Sequence, residues 1–233
     1  MVGEFGLGVA ILSVAIWVGL LTVWGNFWRC DQRLTETVPQ FPPDSPLPKV
    51  WAVIPARNEA DILPTTVRSL LQQDYPGPFQ IVVVDDHSTD GTGAVARQAA
   101  TSLGRAEQLT VLAAEPLPAG WTGKLWAMEQ GVRYLQTQTP QPDYVLFTDA
   151  DIAHDSSNLS RLVAKAQEDD RDLVSLMVLL RCDSLWEKLL IPAFVFFFQK
   201  LYPFPWVNRR DRRMAAAAGG CILLRRSRLE HIG

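Results

Sequence analysis

Apolar residues follow two different rhythms along this chain. From Leu7 to Trp24 no charge interrupts a run of Leu, Ile, Val, Ala, Gly and Trp. A run of this kind can cover the roughly 20 residues that a helix needs to cross a bilayer. It has no polar face, so it does not read as an ordinary surface helix. The start, Met-Val-Gly-Glu, lacks the basic stretch of a signal peptide, and the run ends at Trp24 and Trp28 followed by Arg29 and Arg33. Residues 1–29 therefore read as an uncleaved transmembrane anchor. The tryptophans suit a membrane interface, and the arginines behind the span place the rest of the chain on the cytoplasmic side of an inner membrane.

After this span the rhythm changes. Residues 30–49 hold Pro39, Pro42, Pro43, Pro46 and Pro48, too many fixed φ angles and missing N–H donors for helix or central strand, which predicts a linker. From residue 50 onward, short apolar runs alternate with segments of helical spacing. Strands are expected near 50–54, 80–85, 109–113, 143–148, 173–180 and 220–224. Helices are expected near 63–73, 91–103, 123–136, 156–168 and 184–200. Such alternation implies an α/β fold, a mostly parallel sheet flanked by helices, over 50–233. The stretch 189–207 breaks the pattern: Phe194 to Phe198, Tyr202, Phe204 and Trp206 are interrupted by Pro192, Pro203 and Pro205. That is too interrupted for a second span, and an interfacial membrane helix is the preferred reading over core packing.

Composition narrows the classes. With 233 residues and a net charge of −3, the chain has room for one α/β domain plus the anchor, and no global field recruits nucleic acid. Cys30, Cys182 and Cys221 are odd in number and match no metal-ligand spacing, so reduced thiols are expected.

The chemistry gathers at strand ends. Residues 143–151 read Asp-Tyr-Val-Leu-Phe-Thr-Asp-Ala-Asp, a buried-type strand that runs into Asp149 and Asp151. In an open α/β sheet this carboxyl edge is where ligands bind. Two carboxylates there suit Mg²⁺ or Mn²⁺, which fill their other positions with water and phosphate oxygens. On its own D-x-D is also what a solvated loop or a helix start contains. Strand 50–54 ends in Pro55-Ala56-Arg57-Asn58-Glu59, and strand 80–85 ends in Asp85-Asp86-His87-Ser88-Thr89-Asp90. The second could be a mere turn and cap, but three polar termini converge on one crevice. Gly120-Trp121-Thr122-Gly123-Lys124 then opens a helix with a charge suited to phosphate. That segment lacks the G-x-x-x-x-G-K-S/T of a P-loop, and no G-x-G-x-x-G follows the first strand.

Pro-Ala-Arg-Asn-Glu (55–59), Val-Val-Asp-Asp-His-Ser-Thr-Asp-Gly-Thr (83–92), Gly-Lys-Leu-Trp-Ala (123–127) and Thr-Asp-Ala-Asp (148–151) together resemble the family 2 glycosyltransferases of GT-A fold. Within that family, residues 120–128 and 186–203 look most like the hopene-associated glycosyltransferases of bacteria. The resemblance implies inverting sugar transfer from a nucleotide-diphosphate sugar, a UDP-sugar above all, to a lipid or polyol acceptor such as a hopanoid. It further implies a donor site from Pro55, Ala56, Arg57, Asn58, Glu59, Asp85, Asp86, Lys124 and Asp149. The metal would be Mg²⁺ or Mn²⁺ at Asp149 and Asp151, with Asp151 the direct ligand and Asp149 nearer the ribose or acting on the ion through another ligand. Gly219 and Gly220 resemble the family's acceptor-side loop.

Two departures stand out. The family's catalytic base comes from an acidic motif that would lie beyond Gly233, so the chain is expected to be a fragment, with Glu230 and His231 poor substitutes. His87 stands where many members have Gly, and a turn role is expected for it. Two rivals remain: a phosphatase with an Asp nucleophile, whose motif sits on the first strand and carries Thr or Val where Ala153 stands, and a non-catalytic module that binds nucleotide-sugar or lipid.

Overall fold

A computed structural model describes residues 2–34, 37, 39–41 and 46–232. Of the expected linker, Thr35, Glu36, Val38, Pro42, Pro43, Asp44 and Ser45 lie outside the described residues. The chain divides into two units: Met1–Arg33 with Leu179–Ala216, and Leu34–Val178 with Ala217–Gly233.

The larger unit is built on six strands, β1 (Val50–Ala56), β2 (Phe79–Asp85), β3 (Leu109–Ala113), β4 (Tyr144–Thr148), β5 (Leu173–Ser175) and β6 (Cys221–Arg225), in the order β3-β2-β1-β4-β6-β5. Strands β3, β2, β1 and β4 run parallel, and β6 is antiparallel to both β4 and β5. Strand periodicity sends alternate side chains to opposite faces. Val50, Ala52, Ile54, Ile81, Val83 and Leu146 thus join one core, and Trp51, Val53, Val82, Val84, Val145 and Phe147 the other.

Four helices cover these faces. On the first, α2 (Leu63–Leu71) buries Leu63, Val67, Leu70 and Leu71, α3 (Thr92–Ser102) buries Ala96, Ala99 and Ala100, and α5 (Asn158–Glu168) buries Leu159, Leu162, Val163 and Ala166. These are i, i+3, i+4 spacings that make one apolar stripe. On the second face lies α4 (Gly123–Gln136), whose Gly131 sits so near β1 that a Cβ there would overlap Val53 Cγ1.

The strand expected over 173–180 is shorter than its apolar sequence suggests. Only Leu173–Ser175 pair with β6, and one further bond, Leu176 N–H to Cys221 O (3.0 Å), ends the ladder where β6 begins. Beyond it Leu179 is fully exposed.

The smaller unit holds α1 (Val2–Val23), α6 (Leu185–Leu201) and α7 (Phe204–Val207). Helix α6 starts with a capping box, Ser184 Oγ accepting from Glu187 N–H while the Glu187 carboxylate accepts from Ser184 N–H. It runs through Pro192 over nearly the whole of the helix expected at 184–200. Glu4–Val23 and Leu185–Val207 are both long and apolar enough, by length and composition alone, to cross a membrane. Within this unit Trp24 Nε1–H donates to Lys200 O (2.8 Å), and Phe27 meets Phe196 edge to face.

Candidate active site

The carboxyl ends of β1, β2 and β4 open into a cavity of about 390 Å³ in the larger unit, lined by Pro55, Ala56, Arg57, Glu59, Asp86, Gly123, Lys124, Ala127, Asp149, Ala150 and Asp151. Residues from four separate sequence segments meet there. The sheet order brings this about, since β1 lies between β2 and β4.

The β1 and β2 tails are tied to each other before they face the cavity. Asp86 N–H donates to Ala56 O (2.8 Å), Asn58 N–H to Ser88 Oγ (2.9 Å), Glu59 N–H to Thr92 Oγ1 (2.9 Å) and Ala60 N–H to Asp90 Oδ2 (3.0 Å). Asn58 answers by accepting from Thr89 N–H through its side-chain oxygen (2.9 Å). Hydrogen bonds from Thr92 and from the Ala60 backbone hold the Asp90 carboxyl below its ordinary range. Asn58 and His87 both adopt left-handed backbone, at φ 54° and 57°. That conformation is open to glycine and tolerated by Asn, which gives His87 the turn role expected of it.

Asp86 points inward. Its carboxylate meets Arg57 Nη1 at 3.4 Å and His87 Nδ1 at 3.1 Å. A Cβ on Gly123 would come within 2.6 Å of Asp86 Oδ2, so the start of α4 approaches this carboxylate because residue 123 has no side chain. Across the cavity Lys124 Nζ pairs with Asp149 Oδ1 at 2.6 Å, both side chains partly exposed. Asp151 is exposed and has no hydrogen-bond or ion-pair partner among the described residues.

The loop carrying the two acids is pinned from beneath by a network the sequence did not disclose. Thr66 Oγ1 on α2 donates to Ala150 O (2.7 Å), between the two carboxylates. Thr148, the last residue of β4, bonds through Oγ1 to buried His154 Nε2 (3.0 Å). On the other ring nitrogen, Asn158 Nδ2 lies 2.9 Å from His154 Nδ1. With that amide orientation Nδ1 accepts, and Nε2–H donates to Thr148. Burial lowers the His154 pKa to about 4, so the ring is neutral, and it raises the thiol of neighbouring Cys221 to about 11. No periodicity or motif flags His154 or Thr66; only the packing of α2 and α5 against β4 makes them visible.

Not every expected residue lines the cavity. Asp85 instead accepts from Ser88 N–H through Oδ1 (3.0 Å), holding the turn after β2. Asn58 does comparable turn work, and Gly219 and Gly220 are not lining residues either. Gly220 N-terminal to β6 accepts from Asp149 N–H (3.3 Å), and a Cβ on it would press on Ile152 and Val178. Glu230 pairs with Arg226, and His231 Nδ1 lies 2.7 Å from Ser227 O, so both are engaged on their own helix, α8 (Arg226–Ile232).

Among the described residues no three His, Cys, Asp or Glu side chains cluster into a self-sufficient metal site. Two all-oxygen side chains one residue apart, with one of them unpartnered, nevertheless match what Mg²⁺ or Mn²⁺ takes from a protein when substrate phosphates complete the shell.

The comparisons with known proteins agree with this geometry. The model of Glycosyl transferase family 2 matches residues 51–233. The chain is similar to beta-monoglucosyldiacylglycerol synthase of Synechocystis sp., 31% identical over 111 residues, which is 38% of this chain and 23% of that protein. It is also similar to 4,4'-diaponeurosporenoate glycosyltransferase of Staphylococcus aureus, 32% identical over 100 residues, 43% of this chain and 23% of that one. The chain thus spans 23% of the length of these two relatives. Among solved structures, mannosyltransferase PcManGT from Pyrobaculum calidifontis, in complex with GDP-Man and Mn²⁺, superposes with a TM-score of 0.62 at 22% identity, over 97% of this chain and 58% of that one. S. aureus TarS 1–349 in complex with UDP-GlcNAc gives 0.50 at 21% identity, over 79% and 47%. The fold is the GT-A arrangement, and the chain belongs to glycosyltransferase family 2.

Proposed function

We propose that this chain transfers a sugar from a nucleotide-diphosphate donor to a lipid acceptor at a membrane, with inversion at the sugar carbon and a divalent metal at Asp149 and Asp151. The observation that carries the proposal is the convergence of Asp86, Lys124, Asp149 and Asp151 on one cavity at the carboxyl edge of the parallel strands. The neighbouring structures, with GDP-Man and Mn²⁺ or with UDP-GlcNAc, support a donor of this class. Two relatives whose names describe glycosylation of a diacylglycerol and of 4,4'-diaponeurosporenoate support a lipid acceptor. A hopanoid remains the acceptor that the sequence resemblance suggests.

In this reading Pro55 to Arg57, Glu59 and Asp86 bound the nucleoside side of the cavity, where a carboxylate accepts hydrogen bonds from base N–H or ribose hydroxyl. Asn58 and Asp85 act one step back, by fixing the turns that present those residues. Lys124 sits at the first turn of α4 and exchanges its Asp149 partner for donor phosphate oxygens, a cation at a helix start that already favours anions. Asp149 and Asp151 would hold the metal, which when bound would neutralise charge developing on the leaving diphosphate. The acceptor hydroxyl attacks the sugar carbon as the bond to the diphosphate breaks, and its proton passes to a general base. Membrane attachment falls to α1, with its 22 residues, and to the aromatic segment 185–207, the catalytic unit lying on the cytoplasmic face.

The test uses the detergent-solubilised chain with UDP- and GDP-sugars and Mn²⁺. Metal-dependent binding of a nucleoside diphosphate by calorimetry, with slow release of nucleotide from the donor, is the expected result. Asp151→Ala should remove the metal dependence and keep the fold. Absence of any metal-dependent nucleotide binding in the wild-type chain would sink the proposal.

A further inference from the structure

The two units differ in charge as well as in burial. Residues 1–33 and 179–216 carry nine basic and five acidic side chains, a net of +4, whereas the remaining residues carry 13 and 20, a net of −7. The overall −3 conceals this division. Within the smaller unit the positive charge is concentrated in Arg209-Arg210-Asp211-Arg212-Arg213, immediately after α7, and all five residues are exposed. Asp211 engages Arg209 in a bidentate pair (2.8 and 2.5 Å), which leaves the five-residue segment at a net +3.

Three basic side chains of this unit also stand beside aromatic ones. Arg212 lies over the Trp206 ring (5.1 Å to the centroid), Arg29 over Trp28 (5.5 Å), and Lys200 near both Phe197 (5.0 Å) and Trp17 (5.9 Å). Exposed Trp186, Phe194, Phe197 and Tyr202 add apolar surface on α6 and just past its end. Aromatic rings that sit at headgroup depth, with guanidinium groups next to them, meet a bilayer surface on both of its chemistries. A soluble acidic protein would satisfy the arginines but not the exposed rings.

We propose that residues 200–213 bind the headgroups of anionic phospholipids, so that the aromatic segment 185–207 seats preferentially in negatively charged membrane. This rests on the membrane reading above and adds lipid selectivity to it. Arginine forms paired hydrogen bonds to phosphate, and each basic residue near an anionic surface adds attraction that falls off within a Debye length. Zwitterionic lipid offers the same apolar interior without the net charge.

The experiment places the full chain in lipid nanodiscs of phosphatidylcholine alone or with about 30 mol% phosphatidylglycerol, and follows amide hydrogen exchange of residues 206–214. Exchange is expected to be roughly tenfold slower in the anionic discs, and the difference should vanish in about 1 M salt, where the Debye length falls to ~3 Å. The combined variant Arg209→Gln, Arg210→Gln, Arg212→Gln, Arg213→Gln should enter both discs and show the same exchange in each. The salt arm reads the wild-type chain, so it decides the matter even if that variant folds poorly. Equal exchange of the wild-type chain in the two lipids overturns the proposal. So does equal protection by inorganic pyrophosphate in neutral discs, which would make the arginines a diphosphate site. A chain that stays out of both kinds of disc overturns the membrane reading and this proposal together.

Discussion

Strand β1 and helix α1 are drawn from the same few apolar residue types, yet they end in opposite surroundings. Every β1 residue but Pro55 is buried, with Val50, Ala52, Val53 and Ile54 fully so. In α1 the side chains of Ile11 and Leu12 are 62% and 61% exposed, like most of their neighbours. Apolar content therefore does not by itself decide burial. Strand β1 has paired strands on both edges and helices over both faces, so its side chains leave water when the sheet forms. Helix α1 satisfies its own backbone bonds and offers apolar side chains all round, a form suited to an apolar solvent. In the larger unit the hydrophobic effect assembles an interior that aims polar strand ends outward, and in the smaller unit it leaves an apolar exterior.

The comparison can be broken at several points. The strongest effect belongs to the cavity, which lies wholly in the larger unit. Asp151→Asn should lower metal-dependent donor turnover about a thousandfold, or ~4 kcal/mol in the transition state, with an unchanged melting curve. Loss confined to stability would mean that the carboxylate is structural. Next comes the core. Leu146→Ala should cost the larger unit about 3 kcal/mol in chemical denaturation, whereas Leu12→Ala, on an exposed face of α1, should change that unit's unfolding by less than ~0.5 kcal/mol. Equal costs would mean that α1 belongs to the same packed interior.

The network under the acidic loop gives a pH signature. His154 is buried neutral with its pKa depressed from 6.5 to about 4, so between those values the unfolded chain binds the extra proton and the folded chain does not. Stability from this residue is complete above pH ~6.5 and is lost as pH falls toward 4, by up to roughly 3 kcal/mol. In His154→Gln this part of the slope between pH 6.5 and 4 should disappear, and a titration of melting temperature would reveal its persistence. A more modest and local loss is expected in the smaller unit. Ser184→Ala removes the capping box of α6 and should cost that helix about 1 kcal/mol, read as faster amide exchange in residues 185–188 only.

Much of this was legible because it is local. The six strands and the helices over 63–71, 92–102, 123–136 and 158–168 follow from alternation and helical spacing in short windows, and observed boundaries fall within a few residues of expectation for all but one strand. The exception, 173–175, ended early because a strand extends only as far as its partner, and β6 begins at Cys221. Helix α6 matches the expected 184–200 to within a residue, with Pro192 inside it at the loss of one backbone N–H donor.

The residue types of the site were likewise written in the sequence: Asp149 and Asp151 after an apolar strand, Lys124 at a helix start and the Pro55 to Glu59 tail all announced themselves by spacing. What the tertiary structure alone decided is which of two adjacent acids faces the cavity, Asp86 rather than Asp85, and which buried groups hold the loop, Thr66 and His154. Strand order and helix packing set those contacts across 84 residues of chain between Thr66 and Ala150. Periodicity records which face a residue occupies, but it carries no information about what another segment will place against that face.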